Sequence, residues 1–152
     1  MTYHNNQSYK SNYQHKKSDQ PAFNEPIKYY VNGDNKQIEI QLFNEVAEKW
    51  AKNLNLAQTQ LRKFYNQVLN YRDQIENFSA SIDGKEQKFN ELLPYILMLK
   101  SKVHYAKNRK SSDVNQNFVN FIQNNLSNIK KYKDYKIFCT FFEAVVAFSK
   151  SK

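Results

Sequence analysis

Turn-forming residues are scarce in this chain. Its 152 residues include 2 Gly and 3 Pro, and beyond Asn35 only Gly84 and Pro94 remain to punctuate strands. A sheet needs a break at every reversal, so the body is expected to be helical. A single cysteine, Cys139, excludes an internal disulfide framework. With no apolar signal core in Met1–Gln7, that points to a reducing compartment. No stretch approaches the length of a membrane-spanning helix. A soluble, cytoplasmic protein with no membrane partner is expected.

The inventory of catalytic groups is equally thin. No paired carboxylates, glycine-rich phosphate loop or zinc-ligand spacing occurs. His104 is the one histidine of the folded body, and no nucleophile or orienting carboxylate stands near it in sequence. Its expected place is solvent-facing or capping. Cys139 lies in the apolar run Phe138-Cys-Thr-Phe-Phe142, which reads as a buried structural thiol. No catalytic residue, metal site or cofactor is therefore assigned, and the chain is not expected to be an enzyme.

What is present is apolar bulk and segregated positive charge. Hydrophobic content is 40%, with 11 Phe and 11 Tyr, enough for one core. The net charge of +9 is uneven. Residues 36–84 are neutral, with six basic and six acidic side chains, and residues 85–152 carry thirteen basic against five acidic. A polyanion is therefore expected to meet the C-terminal half. The frequent Asn and Gln are taken as compositional bias without structural meaning.

Residues 1–34 are polar and low in aliphatics, and read as a disordered tail ahead of a helical domain over residues 35–152. The tail holds His4 and His15, too isolated for a metal site. Its Tyr3, Tyr9 and Tyr13, with Lys10, Lys16 and Lys17, could touch RNA, but an inert tail is the favoured reading. Apolar periodicity then predicts five helices: Lys36–Asn53, Ala57–Phe78, Glu86–Lys110 with a kink or shorter leading piece at Pro94, Val114–Ile129 capped by Ser111-Ser112-Asp113, and Tyr135–Lys150. Short links make this an all-α, single compact bundle.

Several basic side chains fall at positions suited to a phosphate backbone. Lys100 and Lys107 lie on one edge of the third helix's core stripe, Lys102 and Arg109 on the other. Each pair is about 10 Å apart along the axis, and Lys110 closes the helix. Cations at a helix C-terminus also suit its dipole. Arg62 and Lys63 lie near the start of the second helix, where the dipole gives no reason for them. Arg72 shares the face of Leu61, Tyr65 and Val68, where a salt bridge to a bundle acid is favoured over RNA. The fifth helix has a broad apolar arc, so it is either central or a protein contact, with Phe141 and Phe148 at the edge.

Three segments in this order carry a resemblance: Gln60-Leu-Arg-Lys-Phe-Tyr65, the stretch Leu92–Ala106 (LLPYILMLKSKVHYA), and Asp134–Phe148 with its Phe-Glu-Ala-Val-Val core. Together they make residues 55–150 similar to the small helical subunit of type III-A CRISPR effector complexes. The resemblance implies a non-catalytic, RNA-binding part of an antiviral ribonucleoprotein. Several copies would stack beside the backbone-subunit filament and contact guide RNA and target RNA without reading sequence, the DNA and signalling activities belonging to the large subunit. The Phe141/Phe148 edge and the Trp50 helix would be candidates for copy-to-copy or backbone-subunit contact. By position, Arg62 and Lys63 match the family's basic pair, and Lys100, Lys102 and Arg109 its basic mid-chain helix. The resemblance leaves Arg72 and Lys107 unassigned, and the long N-terminal segment departs from a minimal member. A helical protein–protein adaptor and a membrane-surface protein with a basic amphipathic helix stay open as alternatives.

Overall fold

A computed structural model of the protein describes residues 21–33 and 35–149. Among these the fold is all-α, without strands, apart from one isolated antiparallel bridge between Tyr30 and Ile38. A wide turn, Leu42–Val46, in which the Val46 amide reaches the Gln41 carbonyl, runs into α1 (Ala47–Leu54). Then follow α2 (Gln58–Phe78), α3 (Ile82–Leu97), α4 (Leu99–Asn108), α5 (Gln116–Leu126) and α6 (Tyr132–Phe148).

The broad apolar arc of the last helix has the central-helix explanation. α6 packs against α1, α2 and α3, and buries residues around most of its circumference, among them Tyr135, Phe138, Phe141, Phe142 and Val145. Its rings interlock with those of α5. Phe121 meets Phe142 edge-on at 5.2 Å, and Phe118 lies 5.2 Å from Phe64 of α2. Aromatic pairs of this kind contribute about 0.5–1.5 kcal/mol each beyond their area. This corrects two expected contact residues. Trp50 is 1% exposed and Phe141 is 0% exposed, so both are core and offer no surface to a partner. Phe148, the last residue of α6, keeps 38% of its surface exposed.

The long third helix divides, though not at its proline: a proline's missing amide and ring act on the turn before it, and α3 continues through Pro94 to Leu97. Pro94 sits in α3, and four residues later the Met98 amide binds the Tyr95 carbonyl at 3.2 Å, a tightened turn that separates α3 from α4. Helix ends also differ from those expected. Ser81, not a residue near Glu86, starts α3, its Oγ accepting from the Gly84 amide at 3.0 Å. The cap of α5 is Asn115, whose Oδ1 accepts from the Phe118 amide at 3.0 Å, in place of the expected Ser111–Asp113. The first helix begins at Leu42 rather than Lys36, because residues 29–31 and 37–39 pair with each other instead. There the Val31 amide reaches Gln37 O at 2.8 Å and the Glu39 amide reaches Tyr29 O at 2.9 Å, around Asn32, Gly33 and Asn35 at positive φ.

The expected tail is corrected over its last third. Residues 1–20, with their His, Tyr and Lys side chains, lie outside the described residues. Residues 21–33 pack on the bundle: Ile27 and Tyr29 are buried and Phe23 meets Trp50 edge-on at 4.6 Å. An extended segment leaves its backbone groups without partners of its own. Here asparagines of α5 supply them. Asn117 Oδ1 accepts from the Phe23 amide at 2.8 Å, and Asn120 Nδ2 donates to Phe23 O at 3.0 Å. Asn124 Nδ2 donates to Glu25 O at 3.1 Å, and Asn128 Nδ2, in the turn after α5, to Ile27 O at 2.9 Å. Residues 117, 120, 124 and 128 recur at helical spacing, so one polar stripe meets the segment along its length. The asparagine content is thus structural, contrary to the compositional reading.

Candidate nucleic-acid interface

α4 supplies the surface that the charge pattern anticipates. From Leu92 to Ser112 the chain has five basic residues, Lys100, Lys102, Lys107, Arg109 and Lys110, and no Asp or Glu. The core side of α4 is set by buried Leu99 and Val103, and the helix packs on α5. Lys100, Lys107, Arg109 and Lys110 are exposed and Lys102 is half-buried. None of the five makes an ion pair among the described residues.

The two expected edges differ in what they touch. On the α5 side, Lys107 Nζ donates to Gln116 Oε1 at 2.7 Å, and the His104 ring pairs with the Gln123 amide at 2.9 Å. His104 is therefore a structural residue that bridges two helices, neither solvent-facing nor capping. On the outer side, the expected pair of Lys102 and Arg109 loses its helical register. α4 ends at Asn108, and Arg109 adopts an extended backbone with φ −80° and ψ 134°. Its guanidinium lies 5.9 Å from the centroid of the Tyr105 ring, a cation–π pair. Arg109 and Lys110 are thus carried by the loop leaving α4, not by the helix.

Arg62 and Lys63 are exposed in the second turn of α2, with no ion pair among the described residues. The start of α2 and the start of α5 share one end of the bundle: Gln58 Nε2 reaches Ser149 O at 3.2 Å, and Asn115 Nδ2 reaches Leu54 O at 2.7 Å. Lys107 joins that end through Gln116, whereas Lys100 and Lys102 lie toward the other end of α4. Arg72, about 15 Å along α2 from Arg62, is half-buried and meets its neighbour Asp73 at 3.4 Å. The expected bridge to an acid elsewhere in the bundle is not among the ion pairs of the described residues, and the contact made is with the next residue of the same helix.

The remaining titratable groups serve the fold. Cys139 is buried and burial pushes its thiol up to about 12, so the thiolate is inaccessible at neutral pH. Buried Asp134 accepts from the Lys130 and Lys131 amides, both at 2.9 Å, and from the Tyr30 hydroxyl. It caps α6 and pins the N-terminal segment to it. Among the described residues no three His, Cys, Asp or Glu converge as metal ligands would, and no helix is long and apolar enough to cross a membrane.

Sequence reasoning missed the aromatic component of the α4 surface. Nine large hydrophobic side chains are exposed among the described residues, and four of them, Tyr95, Leu97, Met98 and Tyr105, belong to α3, α4 and the turn between them. The signal was available, since Tyr95, Met98, Lys102, Tyr105 and Arg109 follow one another at steps of three and four. It was obscured by treating the apolar residues of the segment as core.

Among known families, the model described as Csm2 Type III-A matches residues 37–152. No curated protein and no solved structure matches the chain.

Proposed function

We propose an RNA-contacting role for this chain, which belongs to the Csm2 Type III-A family and is thus a subunit of a type III-A CRISPR effector complex. In that complex the chain binds the backbone of guide RNA and target RNA through Lys100, Lys102, Arg109 and Lys110, with Arg62 and Lys63 as a second contact. The observation that carries this reading is the acid-free span of residues 92–112, whose five cations are unpaired by any carboxylate among the described residues. A cluster of uncompensated charge repels itself and is relieved by a polyanion. Contacts from Lys and Arg to phosphate are independent of sequence, as a subunit serving any guide requires. Arg72 is left out of the set because it lies about 15 Å along α2 from Arg62 and already meets the Asp73 carboxylate.

The role is structural and antiviral in its setting, without chemistry of its own. The inaccessible Cys139 thiol and the Gln123-bound His104 support that part of the reading. Several copies lie beside the backbone subunits, and Phe148, the one expected contact aromatic with exposed surface, marks the bundle end for a copy-to-copy contact. The adaptor alternative differs in requiring no RNA contact.

The test is binding of the full chain to a fluorescent single-stranded RNA across a salt titration, beside Lys100→Ala/Lys102→Ala and Arg62→Ala/Lys63→Ala variants. Sequence-independent binding that weakens steeply with salt is expected. The slope of log K on log salt should become shallower by about 0.7 for each phosphate left without its cation. Variants indistinguishable from the parent would remove those residues from the interface. No binding at low salt would leave protein docking as the role of the isolated subunit.

A further inference from the structure

The outer flank of the α3–α4 pair carries more than charge. Tyr95, Met98, Lys102 and Tyr105 step along it at intervals of three, four and three, so they share one face, and Arg109, on the loop leaving α4, comes back to it beside the Tyr105 ring. Tyr105 is 69% exposed and Tyr95 is 56% exposed, although tyrosine rings are usually covered at least in part. α4 packs chiefly on α5, which lies on the side of Lys107 and His104, so this flank stays open. The Arg109 guanidinium stands over one face of the Tyr105 ring, 5.9 Å from its centroid, and the residue as a whole stays 69% exposed.

We infer that Tyr95 and Tyr105 are stacking platforms for the bases of single-stranded RNA, with Lys102 and Arg109 holding the adjoining phosphates. This deepens the RNA reading and rests on it. The chemistry of the face selects the ligand. Flat, apolar ring surfaces set among cations, in a span without acids, fit a polymer of flat rings joined by anions. A duplex does not fit, because its bases are already stacked inside. Ten residues of nearly continuous helix put the two rings about 15 Å apart along the axis, a span that an extended strand covers within a few nucleotides. A protein partner would need a complementary face both acidic and apolar.

The experiment compares the full chain's affinity for a fluorescent single-stranded RNA and for the same-length strand lacking its bases, at fixed salt and across a salt series. Parent protein is expected to prefer the base-bearing strand by about tenfold or more, since stacking contributes substantially per base. Tyr95→Leu/Tyr105→Leu is expected to lose that preference with an unchanged salt slope, and Tyr95→Phe/Tyr105→Phe to keep it. Circular dichroism verifies that each variant is folded, which exposed positions permit. Equal binding of both strands by the parent, with a steep salt dependence, overturns the stacking assignment alone. A preference that survives in the leucine variant does so too. Failure of both strands to bind at low salt overturns the RNA reading together with it. Loss of self-association in the leucine variant, with its preference for bases intact, assigns the flank to a second copy of the chain instead.

Discussion

The Tyr29 hydroxyl donates to Asn125 Oδ1 at 2.6 Å in the interior, joining the N-terminal segment to α5 across 96 positions of sequence. Asn125 spends its amide nitrogen on the Phe121 carbonyl at 2.8 Å, so the side chain is satisfied at both ends. Burial pushes the Tyr29 hydroxyl well above its usual value, which keeps it a donor at every physiological pH.

Breaking that pair leaves a buried acceptor without a donor. Tyr29→Phe is expected to destabilise the protein by about 1–3 kcal/mol, read as a fall of several degrees in the melting temperature. Asn125→Leu leaves the buried Tyr29 hydroxyl without its acceptor, and should cost at least as much. Equal melting temperatures for Tyr29→Phe and parent would show that this hydrogen bond contributes nothing net.

Residues 21–33 are part of the fold rather than a dispensable leader. A chain beginning at residue 35 loses Phe23 from the Trp50 ring and Ile27 and Tyr29 from the core. Its melting temperature is expected to fall sharply. Its tryptophan emission, which Trp50 alone supplies, is expected to shift to the red as water reaches the indole. A chain beginning at residue 21 is expected to keep the emission of the parent. Identical spectra and melting curves for the two shortened chains would contradict the packing described for this segment.

Glu76 ties α2 to both α3 and α6. Its carboxylate accepts from Lys85 Nζ at 2.7 Å and from the Tyr132 hydroxyl at 2.6 Å, and these hydrogen bonds hold it below its ordinary 4.5. A lowered folded value means that the unfolded chain takes up the proton first. The contribution is therefore complete above about pH 4.5 and fades as pH falls through the lower folded value. Glu76→Gln is expected to reduce stability at neutral pH and to flatten the loss between neutral and acid pH. Denaturant unfolding at about pH 7 and about pH 4 measures both effects. Parallel losses in parent and variant would exclude Glu76 as a source of the acid sensitivity.

Gly84 is required for closeness rather than for backbone freedom. A Cβ there would stand 2.2 Å from Ser79 Oγ and 2.5 Å from Ser79 Cβ, inside the turn that joins α2 to α3. Gly84→Ala is expected to cost about 1–3 kcal/mol through overpacking, despite alanine's better helix propensity. A chemical denaturation midpoint at or above that of the parent would show that the turn relaxes freely.

Composition and periodicity determined much of this protein. Too few glycines and prolines for a sheet, and apolar residues at three- and four-residue steps, set the helical class and placed α2 to within a residue. Both are properties of the local chain, so they survive without knowledge of the fold. The break at Met98 lies four residues beyond Pro94 and was not placed by the proline, whose missing amide and ring act on the preceding turn. The central place of α6 was half legible, because an arc so broad could be covered by helices or by a partner, and only packing shows which. Tertiary structure alone decided the rest. Trp50 and Phe141 are core because other helices cover them, which no spacing along their own helix reveals. Tyr95 and Tyr105 are bare because no described element covers their flank. The asparagines of α5 hold the backbone of residues 23–27 through pairings roughly a hundred positions apart. Polarity in sequence says only that such a group must find a partner, and not where.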